Sequence, residues 1–77
     1  MNNTEKILLI IKTISYNKDF DVNTNLFDAH ILDSLGTVRL LSELEAGFGV
    51  SFSLTELERR DIESVAAIER SLQKKLE

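Results

Sequence analysis

The 77 residues carry a net charge of −4, with no Cys, no Pro and one His. A chain of this size hides only about 60% of its unfolded surface, so its core is thin and an enclosed active site has little room. The lack of Cys excludes disulfides, thiolate chemistry and Cys-based zinc sites, one His excludes a His-rich metal site, and the acidic balance argues against nucleic acid, whose binders carry a basic stripe.

The length fits one domain, spanning 1–77. Small secreted domains usually need covalent staples, and a chain without any is expected in the cytoplasm. The N-terminal apolar run is too short to span a bilayer, is interrupted by Lys12, and lacks the basic region and cleavage site of a signal peptide.

Residues 4 to 15 read as the first helix. At about 100° per residue, Ile7, Ile10, Ile11 and Ile14 fall on one stripe, and Thr4 or Asn3 can cap the start. Residues 17 to 33 break the pattern with turn-favouring Asn and Asp, yet carry Phe20, Val22, Leu26, Phe27, Ile31 and Leu32. So much apolar surface predicts a connection that lies across the helices and closes the core, with Phe27 and Ile31 buried. Residues 34 to 47 form a second helix, whose core face holds Val38, Leu40, Leu41, Leu44 and Phe48; Gly47 and Gly49 end it. A short third helix follows in "SFSLTELERRDI", with Ser53 and Glu56 at capping-box spacing. Residues 64 to 76 form a fourth helix, capped by Ser64 and striped by Val65, Ile68, Leu72 and Leu76. The expected fold is all-α: a four-helix bundle with a long first connection and a short third helix.

The stretch "HILDSLGTVRLL", residues 30 to 41, places Asp-Ser-Leu-Gly where the loop becomes the second helix. Asp33 or Ser34 can cap that helix by accepting from its free N–H groups. The buried face is centred roughly 140° from Leu35 on the helical wheel. Leu35 therefore falls with Arg39, Ser42, Glu43 and Ala46 on the solvent side. Pattern alone leaves open whether Leu35 is an isolated surface leucine or part of a recognition face. A nucleophilic Ser34 is the weaker reading: His30 is the sole candidate base, and no glycine-rich oxyanion loop or G-x-S-x-G elbow accompanies it. Asp33 could hold a metal for another enzyme's chemistry on Ser34, but one carboxylate makes no resident metal site.

The run "ILDSLGTVRLL" resembles the prosthetic-group site of the acyl and peptidyl carrier family, whose members bear Asp-Ser-Leu or a close variant at the start of the second helix. Other blocks resemble the family's D-alanyl carrier branch, which serves teichoic acid modification. Asp33 to Leu41 matches D-S-F-G-T-V-x-L-L with Leu35 in place of Phe. Phe48-Gly49-Val50 matches F-G-[IV], Thr55 to Arg59 matches T-E-[FL]-[DE]-R, and Leu26-Phe27-Asp28 corresponds to I-F-D. Arg39, His30 and Ser53 depart from the family pattern, which more often has an acidic or neutral residue, a small residue and a proline there.

The resemblance implies a monomeric carrier with no catalysis of its own. Ser34, with Asp33 beside it, would bear covalent phosphopantetheine, whose thiol holds an acyl or aminoacyl group such as D-alanine. The implied partners are a phosphopantetheinyl transferase, an acyl- or aminoacyl-activating ligase and a downstream acyltransferase. Leu35, Arg39 and Glu43 would meet them, with the segment around Leu57 and Arg59 as the next candidate. The alternatives are a general acyl carrier of fatty acid or polyketide assembly, where strongly acidic second helices are common, and an unmodified helical adaptor.

Overall fold

The computed structural model describes residues 2–16, 18–53 and 55–76. Its helices are α1 (Asn3–Ser15), α2 (Ser34–Phe48), α3 (Arg59–Ile62) and α4 (Val65–Leu76). The helix α1 packs against both α2 and α4, and α3 packs against α4. The short axis of the molecule is 19 Å, less than two full helix diameters of about 10–12 Å each. Few side chains can therefore be remote from solvent, and the core is one continuous cluster in which Ile7, Ile11, Leu26, Leu40, Leu44, Val65, Ile68 and Leu72 are fully buried. No described helix is long and apolar enough to cross a membrane.

Each helix boundary has a local cause. Asn2, rather than Thr4 or Asn3, caps α1: its Oδ1 accepts from the Glu5 N–H at 2.8 Å. The Thr4 hydroxyl instead donates to Glu69 Oε2 at 2.7 Å, pinning α1 to α4. Gly49 closes α2 in the left-handed region (φ 67°), and its N–H donates to the Glu45 carbonyl at 3.0 Å. A side chain there would be strained, which is why glycine ends the helix. Gly47 lies within α2 instead of ending it. Ser64 caps α4 as expected, accepting from the Ala67 N–H at 3.1 Å.

The third helix is shorter than the sequence pattern predicts. The Ser53 carbonyl accepts from the Glu56 and Leu57 N–H groups, both at 3.1 Å, making a turn, while its hydroxyl pairs with Thr55 at 2.8 Å. The expected Ser53–Glu56 capping box does not form. The helical turn starts after Glu58, whose N–H donates to Asp61 Oδ2 at 2.8 Å. Leu54 lies outside the described residues.

The long connection closes the core, as its apolar content predicts; Ile31 is buried as expected, whereas Phe27 is not. Leu26, Ile31 and Leu32 are buried; Phe27 and Phe20 are half-buried and Val22 is exposed. The Leu26 N–H donates to the Glu63 carbonyl at 2.6 Å, and its own carbonyl accepts from Ile31 and Leu32 at 2.9 and 3.0 Å. Leu26 is thus held by both backbone and side chain. The Val22 carbonyl accepts from Ala66 at 3.0 Å, fastening the loop to the start of α4. Asn17 lies outside the described residues. Ile10 and Phe48 are half-buried rather than central. Leu76, on the last turn of α4 beyond Leu72, is half exposed.

Candidate functional site

The site begins with the cap of α2. Asp33 has an extended backbone (φ −126°, ψ −165°), and its Oδ1 accepts from the Gly36 N–H at 2.7 Å. Its carbonyl accepts from Thr37 at 2.8 Å. A cap of this type is worth about 1 kcal/mol. Gly36 permits the close approach: a Cβ there would lie 3.2 Å from Asp33 Oδ1 and 3.5 Å from the Ile31 carbonyl.

With Asp33 as the cap, Ser34 is the first residue of α2 and is exposed. Its hydroxyl makes no hydrogen bond among the described residues. A group carried at this position lies near the N-terminus of an α-helix, whose field favours negative charge such as a phosphate. The local donor set therefore fits a phosphodiester on Ser34: an open hydroxyl, a helix start, and a neighbouring carboxylate already committed to the cap.

The approach to this serine is set by the turn upstream. Asn25 Oδ1 accepts from Phe27 and Asp28 at 3.1 and 3.0 Å, and the Ala29 N–H donates to the Asn25 carbonyl at 3.0 Å. His30 then takes a left-handed conformation (φ 59°). Lys18 Nζ donates to the Ala29 and His30 carbonyls at 3.4 and 3.1 Å, strapping the turn from outside. His30 is exposed and three residues upstream of the cap.

Beside Ser34 lies an open groove of about 630 Å³. Leu32, Asp33, Ser34, Thr37, Val38 and Leu41 line one part of it, and Phe27, Leu57, Glu58, Arg59 and Ile62 the rest. The Arg59 guanidinium lies over the Phe27 ring, 4.3 Å from its centroid. Such stacking contributes about 0.5–1 kcal/mol at an exposed site. Glu58 pairs with Arg60 at 2.6 Å.

Leu35, Arg39 and Glu43 are all exposed, Leu35 by 83%. No ion pair joins Arg39 to Glu43 among the described residues. Val38, placed by its periodicity in the core, is instead 57% exposed and lines the groove. The reason is that α3 is a single turn packed on α4, which leaves the flank of α2 near its start uncovered. Val38 is one turn from Leu35, so the two form an apolar step beside Ser34. The i, i+3 spacing was the available signal, masked by the equally good fit of Val38 to the core stripe.

The exposed serine that opens α2 lies within a stretch that matches a known family. Residues 5–69 match the family of the phosphopantetheine attachment site, and the chain belongs to that family: it is a phosphopantetheine carrier. Its relatives narrow the likeness. It is 37% identical over 73 residues to the D-alanyl carrier protein of Lactococcus lactis subsp. cremoris (strain MG1363), covering 92% of each chain. It is 45% identical over 47 residues to the D-alanyl carrier protein of Streptococcus pyogenes serotype M1, covering 61% of this chain and 60% of that one.

Proposed function

We propose that this carrier holds D-alanine, and that Ser34 is the residue bearing its phosphopantetheine arm. When attached, the arm supplies a terminal thiol on which an aminoacyl group is held as a thioester. The chain's own residues do the rest. The Ser34 hydroxyl provides the point of attachment. Asp33 fixes the start of α2 and offers the carboxylate nearest that hydroxyl in sequence. The reading is carried by one observation: Asp33 takes the capping role and leaves Ser34 exposed at the helix start, its hydroxyl without a partner among the described residues. The D-alanyl carriers among its relatives support the cargo.

In this reading the carrier acts in the cytoplasm, where coenzyme A and ATP are available for its modification and charging. A phosphopantetheinyl transferase installs the arm, an amino-acid-activating ligase charges it, and an acyltransferase receives the cargo. Leu35, Arg39 and Glu43 form the face these enzymes meet, with Leu35 as the apolar anchor and the charges setting encounter and choice.

The test is charging of the modified protein by a D-alanine-activating ligase with ATP. Label from D-alanine should become attached to the protein and be released by hydroxylamine, whereas L-alanine and a fatty acid should charge it poorly. Equal charging with a fatty acid by an acyl-carrier ligase, and none with D-alanine, would favour the general acyl carrier instead.

A further inference from the structure

The groove beside Ser34 is lined by three charged side chains, and one of them has no hydrogen-bond or ion-pair partner among the described residues. Asp33 accepts from the Gly36 N–H at 2.7 Å, and Glu58 is paired with Arg60 at 2.6 Å. Arg59 is the one cation among the described residues that line the groove. No described carboxylate lies within salt-bridge distance of it. Its guanidinium lies over the Phe27 ring, 4.3 Å from the centroid. Stacking uses the face of the guanidinium, whereas its N–H donors lie at the edges of the plane. The ring contact therefore leaves the guanidinium donors free, and they meet no hydrogen-bond or ion-pair partner among the described residues. Planar, paired donors of this kind suit the oxygens of a phosphate.

We propose that Arg59 is a phosphate-recognition residue for the phosphodiester on Ser34. The guanidinium, oriented by Phe27, donates to the phosphate oxygens and holds the root of the arm in the groove beside Val38 and Leu41. This rests on Ser34 being the attachment residue. It adds a contact from a second element that lines the same groove as the serine. The arm would then leave the protein in a restricted direction, which lowers the ordering cost when a partner enzyme binds it.

The experiment compares unmodified and phosphopantetheinylated forms of the wild type, Arg59→Gln, Arg59→Lys and Phe27→Leu. Three readouts are followed: the Arg59 Nε–Hε resonance, the phosphorus resonance of the modified protein, and the change in melting temperature on modification. In the wild type the Arg59 resonance should shift on modification. The phosphorus resonance should differ between wild type and Arg59→Gln, with Arg59→Lys between them. Phe27→Leu should weaken the Arg59 response while leaving the charge in place. Any gain in melting temperature on modification should be smaller in Arg59→Gln. An Arg59 resonance that does not move, with one phosphorus resonance common to all variants, would overturn the proposal. So would slower charging of Arg59→Gln by a ligase without any change in these spectra, which would assign Arg59 to a partner protein. If the modified wild type carries its group on a residue other than Ser34, the attachment reading fails first, and the mass of the Ser34→Ala protein distinguishes that failure from this one.

Discussion

Leu44 and Leu35 stand on the same helix and meet opposite surroundings. Leu44 is fully buried against the core, with Leu40 and Leu41 beside it, whereas Leu35 is 83% exposed at the helix start. The first kind of leucine holds the bundle together. The second contributes almost nothing to folding and leaves apolar surface next to the serine. Val38 falls on the exposed side of this divide, because the single turn of α3 does not reach over it. The helix α2 is therefore buried in the core along one face and leaves apolar side chains exposed along another.

The contrast can be broken by truncation. Leu44→Ala and Leu26→Ala should each destabilise the protein by about 2–5 kcal/mol, since both leave a cavity in a fully buried site. For a small domain that is a large share of its total stability, and a denaturant melt would read it directly. Phe27→Ala should cost less, about 1–2 kcal/mol, because the ring is only half-buried and is covered in part by Arg59. If Phe27→Ala proved as damaging as Leu26→Ala, the loop would be anchored through its aromatic ring rather than through its leucine.

Loss of the cap is the next step down. Asp33→Ala should cost about 1 kcal/mol and slow the modification of Ser34. Asp33→Asn retains the acceptor and should recover most of the stability, so a rate that stays slow in Asp33→Asn would isolate a role for the carboxylate charge. Leu35→Ala should change stability by no more than about 0.5 kcal/mol. Its charging by a ligase should nevertheless fall about tenfold, as expected for one anchor in a small interface. Loss of stability without loss of charging would reverse the assignment of the two faces.

The smallest effect concerns acid. Asp21 is held below its ordinary carboxylate range, chiefly by the Asn23 N–H and then by the Thr24 hydroxyl, which donate to it at 2.8 and 3.2 Å. A carboxyl whose pKa is lower folded than unfolded stabilises the protein above its unfolded value and loses that contribution as the pH falls through the folded value. Asp21→Asn should therefore flatten the acid limb of a stability profile below about pH 4 and leave neutral behaviour nearly unchanged. An identical acid limb in the variant would show that these bonds do not persist in solution.

The helices were legible because their apolar residues repeat at the helical period, and Ser64 and Gly49 mark boundaries by simple backbone chemistry. Asp33 and Ser34 were legible together, but not which of them caps; that depends on the extended backbone at Asp33 and the space left by Gly36. Val38 was misplaced because a helical wheel shows which residues share a face, not whether a neighbour covers it. The displaced start of α3 has a similar origin. Ser53 and Glu56 have capping-box spacing, but the Ser53 hydroxyl finds Thr55 first and a turn forms in place of the helix. The pairing of Arg59 with Phe27 joins residues far apart in the chain, and no local pattern announces it.

The central claim is that Ser34 carries the prosthetic group, and intact mass tests it most directly. Wild type and Ser34→Ala would be treated with coenzyme A and a phosphopantetheinyl transferase, after circular dichroism has shown that both fold. The wild type should gain the mass of one phosphopantetheine group, and Ser34→Ala should stay at its starting mass. Modification of Ser34→Ala to the wild-type extent would contradict the account.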